Sequence, residues 1–265
     1  MTRYRNLGIV GIGMLILILW HSVIRIFSIP QFLLPGPVAV FKDAAQNFGL
    51  LSSQAGVTCL EAFLGFLIAN AGALMLAVVI VFVSGLDSII IPFAVALKTT
   101  PVVAMAPLLL LWFGTGMAPK IAAASLICFF PALVNTIKGM HALEQGEYDL
   151  FLVYGASKFS ILWKLRLPRA APYIFSALKV SSSLAIVGAI IGEFVGANRG
   201  VGYEILVSSY HLNSVRMFSA LAFTTGAGIF FYALISYLDR RVVFWLVAPT
   251  DDVRLDSPRG ENSPS

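Results

Sequence analysis

Charged side chains are scarce in this chain. Of its 265 residues only 12% are Asp, Glu, Lys or Arg, whereas 58% are hydrophobic and the mean hydropathy is +0.88. Soluble domains carry about 25% charged residues, and a chain of this length cannot enclose so large an apolar excess in one core. The composition therefore excludes a soluble globular protein and predicts that lipid is the solvent for much of the surface.

The chain also has few of the groups that metal sites and hydrolytic active sites need. Its two cysteines, Cys59 and Cys128, lie within apolar runs without zinc-type spacing and are interpreted as small buried hydrophobic residues. His21 has no second histidine spaced for a metal, and no catalytic triad or carboxylate pair is visible. The phosphate loop G-x-x-x-x-G-K-[ST] is absent as well. We therefore expect no enzymatic activity, no metal and no cofactor in this chain.

What the sequence does have is long apolar stretches, and six of them can each cross a bilayer, which takes about 20 residues. They are residues 7–28, 58–83, 88–112, 119–138, 173–196 and 217–239. The third is the least regular, because Pro92, Pro101 and Pro107 each remove a helical hydrogen bond. Such backbone survives at membrane depth only where it is buried in protein or lines a wet cavity. The predicted fold class is an all-α integral membrane protein with about six transmembrane helices.

The simplest organisation is one membrane domain with short additions. Residues 1–29 are a first, retained span, since they lack the small-residue cleavage pattern of a signal peptide. Residues 30–57 form an external loop in which PGPVAVFKDAAQNF predicts a turn and a short interfacial helix. The core follows at 58–248 and includes a long cytoplasmic loop at 139–172. The polar, proline-rich tail at 249–265 is predicted to be disordered and cytoplasmic.

Lysine and arginine are distributed unevenly between the two sides of these spans. Lys98 and Lys179 lie within spans. The side opposite the termini carries five cations, Arg25, Lys42, Lys120, Arg199 and Arg216. The side of the termini carries more lysines and arginines than this. The positive-inside rule then places the N- and C-termini in the cytoplasm. Because topology explains the net charge of +5, no nucleic acid partner is expected.

Small residues at intervals of four indicate where helices pack closely. One stripe in the second span consists of Gly65, Ala69, Ala73 and Ala77. A doubled GxxxG in the fifth consists of Gly188, Gly192 and Gly196. Lipid does not drive helices together, so close backbone approach between small residues must do so. Both stripes are interpreted as packing faces, and the alternative is that they let helices slide during a conformational change.

The loop at 139–172 predicts a helix–glycine–helix elbow, hereafter the elbow. EQGEYDLFLVY forms a first helix with acidic residues at its start. Gly155 then provides a left-handed stop, Ser157 caps a second helix, and Pro168 ends that helix. Its apolar side chains include Phe151, Tyr154, Phe159, Leu162 and Trp163. Three interpretations of these apolar side chains are open. They pack on the ends of the spans, or they fill a groove on another protein. In the third interpretation the helix rests on lipid headgroups and its cations bind lipid phosphate.

The elbow resembles the signature loop of ABC importer permeases. That pattern is E-A-A, three residues, Gly, nine residues, Ile, one residue and Leu-Pro. Here Gly155 is followed after nine residues by Leu165, Arg166, Leu167 and Pro168, while the leading triplet, 149–151, keeps only the acidic Asp149. LPGPVAVF, LLLLWFGTGMAPKI, FFPALVNTIKGM and GEFVGANRGVGYEI are also similar to the branch that imports sulfonates, taurine, nitrate and thiamine precursors.

The resemblance implies a type I ABC importer permease, a multi-pass protein of the cell inner membrane. Two copies would form a homodimer, and two separate ABC ATPase subunits would use the ATP. The implied ATPase-coupling residues are Asp149, Tyr154, Gly155, Ala156, Ser157, Lys158, Leu167 and Pro168. An extracytoplasmic solute-binding protein would deliver the solute. A thiamine-precursor pyrimidine, riboflavin or a similar heterocycle is expected, and sulfonate, taurine or nitrate remain alternatives.

Polar residues within the spans are candidates for the substrate pathway, because such groups are costly in lipid. The set is Lys98, Thr99, Thr100, Met105, Ser181, Ser182 and Glu193, with Ser125 as a further wall residue. Each has another interpretation. Lys98 could reach the cytoplasmic surface, and the serines could bond to helix carbonyls. Glu193 could reach the outer interface, pair with Arg199, or contact the binding protein at an outer gate; Glu61 has no interpretation.

A different class of function is a self-contained channel or ion-coupled carrier. That class is expected to show paired charges within the membrane and inverted repeats. Neither feature is clear in the sequence, and the absence of a phosphate loop requires energy to enter through a partner. The permease is therefore preferred, and the carrier or channel is kept as the alternative.

Overall fold

The computed structural model describes residues 2–83 and 85–243, without the side chains of residues 2–7, 9, 10, 97 and 98. All of its described elements are helices. They are α1 (Thr2–Ile26), α2 (Pro37–Gln46), α3 (Phe48–Phe82), α4 (Leu86–Thr99), α5 (Val102–Phe113), α6 (Ala118–His141), α7 (Gln145–Val153), α8 (Lys158–Ile161), a π-helical turn (Leu162–Arg166), α9 (Leu167–Glu193), α10 (Val201–Tyr210) and α11 (Ser214–Val242). The tail predicted to be disordered, 249–265, lies outside the described residues.

Four helices have the length and apolar composition that crossing a bilayer requires. They are Phe48–Phe82, Ala118–His141, Lys158–Glu193 (α8, the π turn and α9 together) and Ser214–Val242. The second predicted span therefore starts ten residues earlier than 58, at Phe48. The fifth starts at Lys158 and ends at Glu193 instead of covering 173–196. Within α1, the apolar helix Gly11–Ile26 coincides with most of the first predicted span.

The third predicted span consists of two helices in series. The helix is interrupted at Thr100 and Pro101, between the end of α4 and the start of α5. Helix α4 packs with Ile80 of α3 and Met140 of α6, near one end of α6, whereas α5 packs near Ala118 and Ile121 at the other end. The pair therefore covers the length of α6 as one broken span, with the break near its middle.

Helices α3, α6 and α9 form the centre of the bundle, and their backbones touch. A Cβ added at Gly65 of α3 would come 2.5 Å from Cβ of Ala124 on α6. A Cβ at Gly188 of α9 would come equally close, 2.5 Å, to Cα of the same Ala124. Gly65 and Gly188 thus lie at close helix contacts, as the packing interpretation expects, and Ala69, Ala73 and Ala77 are all buried. Gly196 differs, because it lies in a turn beyond α9 with φ +92° and faces Leu110.

The short helix predicted within residues 30–57 is present as α2, and it is held against α11. The guanidinium of Arg216 contacts both carboxylate oxygens of Asp43, with Nε 3.0 Å from Oδ2 and Nη2 3.1 Å from Oδ1. Ser219 Oγ donates to the carbonyl of Val40 at 3.1 Å. Helix α1 packs much less against the other helices, since its apolar residues are mostly exposed. One contact that it makes is between Trp20 and Phe218, whose ring centres lie 5.8 Å apart.

Candidate functional site

The elbow has the predicted glycine stop. Gly155 has φ +68°, where L side chains are strained. Its N–H donates to Leu152 O and the N–H of Ala156 donates to Phe151 O, both at 2.9 Å. These two bonds make a Schellman motif, which satisfies the last carbonyls of α7. Ser157 Oγ then accepts from the N–H of Ser160 at 3.2 Å and caps the next helix, as predicted.

The predicted end of the second elbow helix at Pro168 is wrong. The helix continues from Lys158 through the π turn at Leu162–Arg166 into α9, so that 36 residues form one rod, Lys158–Glu193. Pro168 therefore lies inside a continuous helix, directly after a π turn in which the hydrogen-bond pattern already departs from that of a regular α-helix. At 1.5 Å per residue the rod is about 54 Å long.

The elbow is tied to the body of the bundle by two cations. Arg169 forms an ion pair with Glu147 of α7. Arg166 donates from Nη1 to the carbonyl of Met140 at 3.0 Å and lies 5.5 Å from the ring centre of Tyr148. Helix α7 is thereby fixed to the foot of the rod. Displacement of the elbow would therefore be passed directly to α9.

Large apolar side chains of the elbow point away from the bundle. Val153 is 85% exposed, Tyr154 81%, Phe159 64% and Trp163 58%. Leu162, which was grouped with them in the sequence, is buried instead at 3%. Asp149, Ser157 and Lys158 are exposed beside this surface, whereas Ala156, Leu167 and Pro168 are half-buried. We call Val153, Tyr154, Phe159 and Trp163 the elbow surface.

At the opposite end of the rod lies a buried charge cluster made of Glu61, Lys120 and Glu193. Their relative exposures are 1%, 5% and 0%. Lys120 Nζ lies 3.7 Å from Glu61 Oε1. Glu193 Oε1 accepts from Thr58 Oγ1 at 2.6 Å. Lys120 was expected among the outer cations, but it is enclosed because Gly192 lets α9 approach its Cα.

Glu193 also fixes the start of α10. Its Oε2 accepts from the N–H of Gly202 at 2.5 Å, and Thr58 Oγ1 accepts from the N–H of Val201 at 2.8 Å. Gly200, with φ +107°, and Gly202 leave room for the carboxylate, because a Cβ on either would overlap it. Glu193 is thus bound to Thr58 and α10 beside Glu61, and it forms no ion pair with Arg199 among the described residues.

Two apolar cavities beside α5 share Met105 and Leu126. One holds about 250 Å³ and is lined by Ala94, Val102, Met105, Leu126, Phe129 and Leu184, among others. The other holds about 610 Å³ and includes Met105, Trp112, Phe113 and Ser125 in its wall. Of the predicted pathway residues, Met105 lines both cavities and Ser125 lines the second.

The other predicted pathway residues have different surroundings. Thr99 and Thr100 are exposed at the break, and both hydroxyls donate to Ala96 O, at 2.7 and 3.3 Å. Ser181 and Ser182 are fully buried at the α6–α9 contact. Ser182 bonds back to Lys179 O at 2.7 Å, which is the alternative given for it above. Lys98 belongs to α4, and its side chain lies outside the described residues.

A second charged contact within the bundle joins α9 to α11. Lys179 Nζ lies 2.5 Å from Asp239 Oδ2, with both side chains mostly enclosed. Neither this pair nor Glu61–Lys120 was visible in the sequence, because each joins helices far apart along the chain. Within the described part of the chain, no group of three or more His, Cys, Asp or Glu is arranged to hold a metal ion.

Comparison with known proteins agrees with this architecture. A family model described as "Binding-protein-dependent transport system inner membrane component" matches residues 63–244. The chain is 34% identical over 240 residues to a "Probable ABC transporter permease protein" of Haemophilus influenzae, covering 91% of this chain and 97% of the relative. It is 32% identical to the riboflavin transport system permease protein RibX of Chloroflexus aurantiacus, covering 90% of each.

Two further similarities are to a relative named for its substrate and to a protein of known structure. The formylaminopyrimidine transport permease protein ThiX of Halalkalibacterium halodurans is 27% identical, with 88% of this chain and 93% of the relative covered. A solved chain of the MetNI methionine ABC transporter, in an inward-facing conformation, superposes with a TM-score of 0.57 at 19% identity, covering 76% of this chain and 98% of that one. The protein belongs to the family of binding-protein-dependent transport system inner membrane components, the permease subunits of ABC importers.

Proposed function

We propose that two copies of this chain form the translocation pathway of an importer that is driven by two separate ABC ATPase subunits. Each ATPase would bind one elbow, and an extracytoplasmic binding protein would deliver the solute. The observation that carries this proposal is the elbow surface at the foot of a continuous 36-residue rod. A push on Tyr154 or Trp163 is transmitted along α9 to the opposite end of the bundle, since a helix is stiff along its axis.

The distribution of charge supports a cytoplasmic elbow in the inner membrane. The elbow end carries Lys158, Lys164, Arg166 and Arg169, and the end of α11 beside it carries Arg240 and Arg241. Cations concentrate on the cytoplasmic side of membrane proteins. With Lys120 enclosed in the buried charge cluster, the opposite side has still fewer free cations than the sequence predicted.

Mutation of the glycine stop tests the coupling role. Gly155→Val should leave membrane insertion intact, because nothing lies within 4 Å of an added Cβ, but the positive φ strains any side chain and should reorient the elbow surface. The matched control is Gly146→Val in α7, which also has open space and has no positive φ. With the ATPase from a neighbouring reading frame, the complex should lose uptake only in the Gly155 variant. Normal uptake by that variant would contradict the proposal.

We further propose a flat, uncharged heterocycle as the solute. The two cavities beside α5 present Met105, Trp112, Phe129 and Leu126, which suit aromatic rings and offer an anion no cation. The names of two relatives, for riboflavin and formylaminopyrimidine, support the same class. Uptake competition in the complete complex should show inhibition by riboflavin or a pyrimidine. Inhibition by taurine or nitrate alone would reject this substrate class without affecting the coupling role.

A further inference from the structure

The buried charge cluster contains two carboxyl groups and one ammonium group. Glu61 comes from α3, Lys120 from α6 and Glu193 from α9, and all three are more than nine-tenths buried. Each carboxyl interacts with the other and with Lys120. The remaining groups that face them are the thiol of Cys59 and the hydroxyl of Thr58 on α3, and the first backbone amides of α10. With every group ionised, the cluster would carry one uncompensated negative charge.

The two carboxyl groups differ in their hydrogen-bond partners. Glu193 accepts hydrogen bonds from Thr58 and from Gly202 at the positive end of α10, where an anion is stabilised. Apart from the neighbouring Glu193 carboxyl, Glu61 has only Lys120 as a partner among the described residues, and the distance of 3.7 Å from Nζ to Oε1 is longer than a good hydrogen bond. Its Oε2 is fully enclosed and has no hydrogen-bond partner among the described residues. An ionised oxygen in that position is costly, whereas a protonated one gains an O–H that can donate.

We propose that the buried charge cluster is a proton-binding site, in which Glu61 holds one proton and Glu193 stays ionised. The Glu61 O–H donates to the Glu193 carboxylate, and Lys120 balances the single remaining negative charge. The net charge of the cluster is then zero. Each of its buried carboxyl oxygen atoms has a hydrogen-bond or ion-pair partner. This site is separate from the elbow and does not depend on the proposed substrate or ATPase.

A proton fits this site better than a metal cation. Hard cations require several oxygen ligands, about six for most sites, and the described residues around the cluster include no group of three His, Cys, Asp or Glu. Lys120 would in addition repel a cation bound between the two carboxyl groups. Charge balance by Na⁺ is therefore an alternative that the test must be able to recognise.

The proton holds together the end of the bundle that is remote from the elbow. Glu193 is the last residue of the rod, and through Gly202 and Thr58 it connects the rod to α10 and α3. Loss of the proton would place two buried carboxylates against one ammonium group. The repulsion would act directly on the attachment of α10, which makes the cluster a latch whose closure requires the proton.

Infrared spectroscopy of the purified full-length chain in lipid nanodiscs tests for the proton directly. A buried protonated carboxyl group gives a C=O stretching band that carboxylates lack. At neutral pH the wild type should show one such band, and Glu61→Gln should lose it. The control Glu144→Gln, at an exposed position before α7, should retain it. Absence of the band in the wild type, or its persistence in the Glu61 variant, would overturn the proposal.

Thermal unfolding distinguishes the two carboxyl groups independently. Gln mimics a protonated carboxyl, so Glu61→Gln should unfold at the wild-type temperature or above it. Glu193→Gln replaces one of the two oxygens that accept from Thr58 and Gly202 by an NH₂ group, which cannot accept, and removes the charge of Glu193, so its midpoint should fall by on the order of 5 °C. A Glu61 variant that is less stable than the Glu193 variant, or that does not fold, would contradict the assignment. Dependence of the wild-type midpoint on Na⁺, with choline as replacement, would also overturn it.

Discussion

Glu193 and Thr58 are 135 residues apart in the sequence, and their side-chain oxygens lie 2.6 Å apart in the structure. Thr58 donates its hydroxyl to the carboxylate and at the same time accepts the N–H of Val201 at 2.8 Å. One threonine therefore connects α3, α9 and α10. Neither bond is exposed to solvent, since Thr58 and Val201 are 2% and 1% exposed.

Replacement of Thr58 by valine should destabilise the protein with little change in volume. The variant loses the donor to Glu193 and the acceptor of Val201, and leaving buried polar groups unpaired costs about 1–3 kcal/mol. The measurement is the thermal midpoint of the purified protein in lipid nanodiscs. Thr225→Val is the matched control, because Thr225 is exposed and its hydroxyl bonds only within its own helix, to Leu221 O. Equal midpoints for the two variants would contradict this role for Thr58.

Substitution of alanine for Gly188 should separate α9 from α6. The added Cβ would lie 2.5 Å from Cα of Ala124, so one backbone must move, and overpacking of this kind costs about 1–3 kcal/mol. Gly226→Ala in α11 is the control, because nothing lies within 4 Å of the new Cβ and alanine favours a helix. Unfolding in denaturant should show a loss for the first variant and none for the second. A tolerated Gly188→Ala would mean that this contact is loose.

The ion pair of Lys179 with Asp239 should be detectable as an energetic coupling. Lys179→Met and Asp239→Asn each leave one partly enclosed polar group without its partner, whereas the double variant removes the mismatch. Both side chains retain some exposure, 27% and 21%, so we expect a coupling of about 1 kcal/mol in a double-mutant cycle. Strict additivity of the two single changes would show that the pair does not bind α9 to α11.

The sequence predicts those features that depend on local backbone chemistry. Gly155 and Ser157 mark the stop and the cap of the elbow because glycine favours positive φ and serine accepts from a helix N-terminus. Pro168 misleads, because proline usually ends a helix, whereas here a π turn precedes it and the helix continues to Glu193. The geometry of the preceding turn decides whether the helix ends or continues at Pro168. No pattern in the residues Leu162–Arg166 distinguishes a π turn from an α-helical one.

The buried charge cluster could not be predicted in the same way, because its members meet only after three helices pack. A signal was nevertheless present. Glu61 continues the small-residue stripe of α3 by one turn beyond Gly65, and Lys120 precedes Ala124 by one turn on α6. Extending each packing stripe outward at intervals of four places both charges on the faces that touch. The mutual alignment of these faces depends on tertiary contacts, which the sequence does not reveal.

Two neighbouring residues of the elbow should separate docking from folding. Trp163 is 58% exposed and belongs to the elbow surface, whereas Leu162 is 3% exposed and packs inside. Trp163→Ala should leave the unfolding midpoint nearly unchanged and weaken ATPase binding by about 2 kcal/mol, a loss typical of aromatic interface residues. Leu162→Ala should instead destabilise the chain by about 2–5 kcal/mol, through the cavity that it leaves. Affinity measurements on nanodisc-embedded protein with the isolated ATPase, alongside thermal unfolding, give both quantities. If Trp163→Ala binds the ATPase as the wild type does, the elbow surface contacts lipid headgroups and the coupling contact lies elsewhere.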